Sequence, residues 1–195
     1  MAKPIGSNKE NLERTRAHLL AVATECFVEH GYHEASTNMV IKSANSSRGS
    51  LYHHFPDKLA LFRAVYDDLA QQISERIAEY PYERKDVAGD LIQGCIAYLQ
   101  VFIDEAFARI MLIDAPNVLG AAYCQSRDAE TAYKALHEGV REIVSDTSEV
   151  LLVTDFLSGA LDSYAMRIAT AENRDQACER YSDGFQRLAS VVLRS

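Results

Sequence analysis

Apolar residues recur along this chain at helical spacing. Leu12, Leu19, Ala23, Cys26 and Phe27 share one face of a predicted helix over 9–30, which Gly31 stops. Ser36 then caps a short helix whose apolar positions are Met39, Val40 and Ala44. Asn45 ends it, because its short amide side chain tolerates positive φ better than other non-glycine residues. Ser47 caps a second short helix over 48–54, and Pro56 biases the residue before it away from helical geometry. Two short helices joined by a three- or four-residue turn make a helix-turn-helix over 36–55.

A long helix over 57–80 follows, with the stripe Phe62, Val65, Leu69, Ile73 and Ile77 and a stop at Pro81. Over 86–105 the apolar residues run nearly all the way round, the mark of a helix buried on several sides. A shorter apolar helix over 107–113 leads to a break at 117–120, and one helix over 123–144 carries Tyr123, Tyr133, Leu136, His137 and Val140 near one side. Val153, Phe156, Leu157, Ala160, Leu161, Tyr164 and Ile168 form the stripe of the next helix. Ala177, Tyr181, Phe185, Leu188 and Val192 form that of the last. The fold class is therefore all-α.

The composition, 48% hydrophobic and 25% charged over 195 residues, supports a real core and excludes disorder. No run of about 18 apolar residues exists, and the first six residues lack the apolar centre of a signal peptide, so no membrane partner and a cytoplasmic location are expected. Residues 1–8 read as a flexible arm able to reach phosphates. Cys26, Cys95, Cys124 and Cys178 are scattered among apolar neighbours without metal-ligand spacing, and read as buried thiols. Cys95 with Cys124 is the one candidate redox pair. No catalytic serine elbow, phosphate-binding glycine loop or zinc motif is present, so neither an enzyme, a cofactor nor a metal is expected.

The net charge of −8 divides unevenly. Through Ala60 there are seven cations against six anions, and the remainder has thirteen against twenty-two. Five of the six histidines also lie in that first part. A less acidic head on an acidic body suits a nucleic-acid binder.

One block makes the reading specific. Gly31-Tyr32, Ala44, Ser47, Gly49, Leu51-Tyr52, His54-Phe55, Pro56 and Lys58 stand at the spacing found in the DNA-binding domain of TetR-family bacterial transcriptional regulators, which the first third of the chain resembles. The resemblance implies an N-terminal three-helix helix-turn-helix domain over 9–55. A C-terminal helical domain for ligand binding and dimerisation, over 56–195, would be joined to it by a long connecting helix. It also implies a homodimer on double-stranded operator DNA, released by a small-molecule effector, and most simply a repressor. Asn45, Ser46, Ala35, Thr37 and Ile41 depart from the family pattern. Ser46 weakens the apolar plug under the turn and Ile41 adds bulk between the short helices, so a motif of modest stability is expected. An all-helical ligand-binding protein with weak or lost operator binding, or a thiol-sensing repressor, are the alternatives.

Carried onto these positions, Arg48 and Ser50, with His53, reach base edges, and Arg48 suits a paired contact to guanine. Tyr52, His54 and Lys58 match phosphate-holding positions, Ser36, Thr37 and Ser47 offer hydroxyls and helix N-terminal amides, and Gly49 permits close approach to DNA. Leu51 and Phe55 face inward. An effector pocket is expected among the C-terminal helices, with Cys95, Tyr98, Phe102, Tyr123, Tyr133, His137 and Phe156 as candidate lining residues. The last two helices either pack inward only or pair with their copies in a four-helix bundle. Pairing is preferred because a two-fold protein matches two half-sites.

Overall fold

The computed structural model describes residues 8–80 and 86–194, which hold ten α-helices, one π-helical segment and no strand. The expected arm and the expected stop at Pro81 fall outside these residues, apart from Asn8, which begins the first helix. Two compact units divide between Asp67 and Asp68.

The first unit contains α1 (Asn8–Glu34), α2 (Thr37–Ser43), α3 (Arg48–His54) and the start of α4 (Lys58–Ala78). Gly31 leaves helical geometry at φ 71° and ψ 168°, where the stop was expected, and a further short turn beyond it carries α1 to Glu34. Ala35 N–H donates to the Gly31 carbonyl at 3.1 Å and closes that turn. The buried residues of α1 begin only at Leu19, which leaves Leu12 44% exposed rather than on the core face. Leu19, Ala23 and Phe27 of α1, Val40 of α2, Leu51 of α3, and Phe62 and Val65 of α4 are all almost fully buried. At the centre Phe27 and Phe62 meet edge to face, with ring centroids 5.0 Å apart.

The second unit continues through α5 (Val87–Val101), the π-helical segment Phe107–Asp114, α6 (Ala115–Val118), α7 (Ala121–Glu130), α8 (Ala132–Ile143), α9 (Thr147–Ala169) and α10 (Arg174–Leu193). Asp86, Asp146 and Asn173 cap α5, α9 and α10 by accepting N–H bonds from Gly89, Ser148 and Gln176. Ile92, Leu99, Phe102, Ile110, Leu157, Ile168 and Phe185 form its core.

Three boundaries differ from expectation. α5 stops at Val101, four residues early, where Asp104 turns the chain by accepting from Ala106 N–H at 2.8 Å. The segment from Phe107 is π-wound and runs directly into α6, so the break expected over 117–120 is narrower and falls at its end, at Gly120 with φ 86°. The single helix expected over 123–144 is two helices parted at Thr131, with φ −122° and ψ −104°. The Thr131 hydroxyl donates to the Arg127 carbonyl at 2.8 Å, the local competition for backbone groups by which threonine disrupts helices.

Along α9 and α10 the apolar stripes divide. Leu157, Leu161 and Phe185 face the core, whereas Leu152, Phe156, Leu188 and Val191 are 68%, 58%, 59% and 70% exposed. No helix among the described residues is long and apolar enough to cross a membrane.

Candidate functional site

The two short helices are held by side-chain caps. The Ser36 hydroxyl accepts from Met39 N–H at 3.2 Å, and the Ser47 hydroxyl from Ser50 N–H at 3.0 Å, each satisfying a donor that a helix start leaves open. Between them Asn45 takes φ 46°, the left-handed conformation that the turn requires. Ser46 is half-buried and its N–H donates to the Ile41 carbonyl at 3.0 Å, so this turn is held by hydrogen bonds where an apolar plug was wanting. Ile41, expected to crowd the helices, is itself half-buried, and Val40 takes the closed position beneath.

The exposed side of α3 is polar. Arg48, Gly49 and His53 are exposed, Ser50 is half-buried, and Leu51 is fully buried on the opposite side. A Cβ added to Gly49 would meet nothing nearer than the Ser47 hydroxyl at 3.9 Å, so no packing within the protein demands a glycine there. The Arg48 guanidinium lies over the Tyr52 ring at 5.8 Å, and the Tyr52 hydroxyl meets the Thr37 hydroxyl at 3.2 Å. These neighbours, Thr37 first and then Arg48, lower the pKa of the Tyr52 phenol. Burial, with the charges of His53 and Arg16, pushes the His54 imidazole below its usual pKa. Lys58 is drawn back into the protein. Its ammonium donates to the His33 carbonyl at 2.9 Å and sits 4.6 Å from the centre of the Tyr32 ring.

Sequence reasoning missed two supports of this surface. His18 reaches from α1 to the Ala44 carbonyl at 3.2 Å, pinning the turn from 26 residues away, and the Arg16 guanidinium covers the Phe55 ring at 5.3 Å. Neither has a local signal, since each depends on where α1 passes the turn.

In the second unit a cavity of about 600 Å³ opens between α4, α5, α7, α8 and α9. Of the seven candidate lining residues, Cys95, Tyr98 and Tyr133 line it. The other four lie elsewhere. Phe102 is sealed in the core, with its ring 5.1 Å from that of Tyr98. Tyr123 is on α7, which the break at Thr131 separates from α8. His137 shares a hydrogen bond of 3.3 Å with the Thr154 hydroxyl and lines a second, more polar cavity of about 460 Å³. Phe156 points to solvent.

The cavity has an apolar floor in Ile77, Leu91, Leu136 and Leu161, and carboxylates that the sequence reading did not single out: Asp90, Asp128, Glu138, Glu142 and Asp162. Burial, then the charge of Asp162, pushes Asp128 up to about 6. Asp162 is raised as well, chiefly by burial, against a hydrogen bond from Tyr98. The Tyr133 hydroxyl donates to Asp155 Oδ1 at 2.6 Å and binds α8 to α9. None of the four cysteines is in a disulfide, and burial pushes the Cys95 thiol up to about 12, which leaves almost no reactive thiolate at Cys95. Among the described residues no cluster of ligating side chains suits a metal.

Two family profiles match this architecture. One, described as bacterial regulatory proteins of the tetR family, covers residues 19–65, and the other, described as the tetracyclin repressor-like C-terminal domain, covers residues 89–192. The HTH-type transcriptional repressor AcnR of Corynebacterium diphtheriae is 40% identical over 76 residues, which are 39% of this chain and 40% of that protein. The HTH-type transcriptional regulator UidR of Escherichia coli K12 is 47% identical over 51 residues, 26% of each. The chain thus spans about two-fifths or less of the length of these relatives. A solved TetR-family transcriptional regulator from Pectobacterium atrosepticum superposes with a TM-score of 0.76 at 28% identity, over 97% of this chain and 99% of that one. Salmonella enterica GusR shares the fold, with a TM-score of 0.72 at 18% identity over 100% and 99%. With the two profiles together spanning the helix-turn-helix and most of the helical unit that holds the cavity, the chain belongs to the TetR family of bacterial transcriptional regulators.

Proposed function

We propose that this protein is a ligand-responsive repressor that binds operator DNA as a homodimer and releases it when a small molecule occupies the cavity of the second unit. One observation carries the DNA reading: α3 exposes Arg48, Gly49 and His53 while Leu51 is sealed beneath. Arg48, Ser50 and His53 would read base edges in the major groove. Tyr52, with Ser36, Thr37, Ser47 and His54, would hold phosphates. The absence of any packing need for glycine at Gly49 fits close approach to the DNA. Lys58 has donors left beyond the one spent on His33, so a phosphate contact there adds to an existing tie.

The dimer reading is supported by the exposed side chains of Leu152, Phe156, Leu188 and Val191 on the last two helices. Gly159 and Gly184, on the same helices, have open space where a Cβ would stand. A partner's backbone can come close there, as a four-helix bundle of two copies needs. Two copies then present two recognition helices to half-sites about one helical turn of DNA apart, or a multiple of it. The domain division follows the same reading, with DNA binding in the helix-turn-helix domain over 9–55 and the effector and the second copy on the helical domain over 56–195. Such a regulator works in the cytoplasm, where bacterial DNA is.

The test is fluorescence anisotropy of the protein on DNA flanking its own coding region, with random DNA as competitor, at two salt concentrations. Tight binding that survives competitor and weakens with salt is expected. If selection from a random-sequence library also yields no preferred site, the DNA reading fails.

A further inference from the structure

The cavity of the second unit has a chemical bias that family membership does not supply. Its five lining carboxylates come from four different helices, α5, α7, α8 and α9, and no lysine, arginine or histidine stands among the described residues that line it. Two of these carboxylates are placed for a particular task. Asp128 is half-buried, and its side chain is held by the backbone of Tyr133. Asp162 accepts from the Tyr98 hydroxyl. No described cation forms an ion pair with either. Facing them is an apolar floor of Ile77, Leu91, Leu136 and Leu161.

We propose that this cavity is the receptor for an amphipathic organic cation, whose charged end is held between Asp128 and Asp162 and whose apolar body lies on the leucine floor. The inference rests on the effector reading above and names its ligand class. Asp128 is half-buried and has no described cationic partner, so its charge is costly to leave uncompensated, and a ligand ammonium held beside the exposed Asp162 relieves that cost. Among the described lining residues an anion would meet five carboxylates and no lysine, arginine or histidine. The half-buried Tyr98 and Tyr133 stand among the lining residues, and a volume of about 600 Å³ suits a drug-sized molecule. The upward shift of Asp128, caused first by burial and then by the charge of Asp162, agrees with a site that disfavours an uncompensated carboxylate.

The test is calorimetric titration of the full chain, without DNA, with three probes of one shape: phenylbutylamine, phenylbutanol and phenylbutyrate. The amine is expected to bind at least about tenfold more tightly than the alcohol or the acid. Asp162→Asn and Asp128→Asn should each cost the amine about tenfold or more and leave the alcohol within about twofold. Equal or tighter binding of the acid or the alcohol overturns the proposal, as does an amine that fails to bind at millimolar concentration or ignores both substitutions. Because the comparison of probes uses the unaltered protein, it decides the matter even where a variant fails to fold. A neutral or anionic effector that released DNA in the anisotropy assay would overturn the charge assignment and leave the regulatory function standing.

Discussion

The Thr37 hydroxyl and the Tyr52 hydroxyl meet at 3.2 Å, joining the first residue of α2 to the middle of α3. Both belong to the surface proposed to meet DNA, so one contact orients the side chain proposed to hold a phosphate before any DNA arrives. Tyr52→Phe removes the hydroxyl from Thr37 and from the phosphate together. It should weaken binding to operator and random DNA by a similar factor. Arg48→Ala should instead cost about 1–3 kcal/mol on operator DNA and flatten the preference between sequences. Competition anisotropy separates the two, and equal losses on both DNAs for Arg48→Ala would remove its role in base reading.

Asn45 holds φ 46° in the turn, where a Cβ carries a steric cost. Replacing it with glycine relieves that cost and adds unfolded-state entropy, and asparagine is among the side chains best suited to this region. The balance favours Asn45→Gly by a few tenths to about 1 kcal/mol, while Asn45→Val should lose about 1–2 kcal/mol. Urea unfolding curves give both numbers; a valine variant as stable as the parent would show that the turn has another conformation open to it.

A Cβ on Gly139 would lie 2.5 Å from Leu91 Cδ1, and both residues line the cavity. The leucine tip is flexible, so Gly139→Ala should turn it aside. The gain in helix propensity, up to about 1 kcal/mol, then offsets the disturbance and leaves stability nearly unchanged. Cavity volume is lost instead. Probe affinity should fall several-fold, roughly 1 kcal/mol, with thermal stability nearly constant, and calorimetry together with a melting curve checks the pair of outcomes.

Stability should also respond to pH through Asp128. Its folded pKa of about 6 lies above the ordinary 3.8, so between those values the folded state holds more protons than the unfolded chain. Stability from this group is therefore fully present below the unfolded pKa and is lost as pH rises through about 6. Among the described lining residues the other charged groups, Asp162, Asp90, Glu138 and Glu142, are acidic, and after burial it is the charge of Asp162 that opposes ionisation of Asp128. Asp128→Asn should match the parent near pH 4 and exceed it at neutral pH by roughly 2 kcal/mol, in urea titrations at the two pH values. A variant less stable than the parent at neutral pH would contradict this assignment.

Leu188 on α10 is 59% exposed and so contributes little to the fold of one copy. Leu188→Glu should leave the melting temperature of a single chain near its parent value while shifting sedimentation from dimer to monomer and abolishing tight operator binding. A dimer that persists at micromolar concentration would place the interface elsewhere.

The helix-turn-helix was legible because its determinants are local. Ser36, Asn45 and Ser47 act on backbone within three residues of themselves, and the structure realises each cap and the positive φ. The cavity was legible in part. Cys95 and Tyr98 fall on a helix apolar on all sides, which announces burial, but nothing in the pattern tells a side chain sealed in the core, such as Phe102, from one facing a void. Tyr123 and Tyr133 were read onto one helix because hydrophobic spacing carries through Thr131, whereas the hydroxyl bond to Arg127 that interrupts the helix is invisible to periodicity. The lining carboxylates were passed over for a related reason: acidic residues on a helix read as a solvated face until the neighbouring helices are in place.

The break at Thr131 leaves α7 a ten-residue helix with no fully buried side chain, so tertiary packing holds it less firmly than its neighbours. Its amides should therefore be among the first in the second unit to trade hydrogen for deuterium, through openings that leave the rest of the unit folded. Asp128 lies on this helix. An occupant that grips it binds the closed state of α7 and not the open one, and so slows that exchange in proportion to its concentration over its dissociation constant. The exchange rate along Ala121–Glu130 becomes a gauge of cavity occupancy that needs neither a labelled ligand nor DNA.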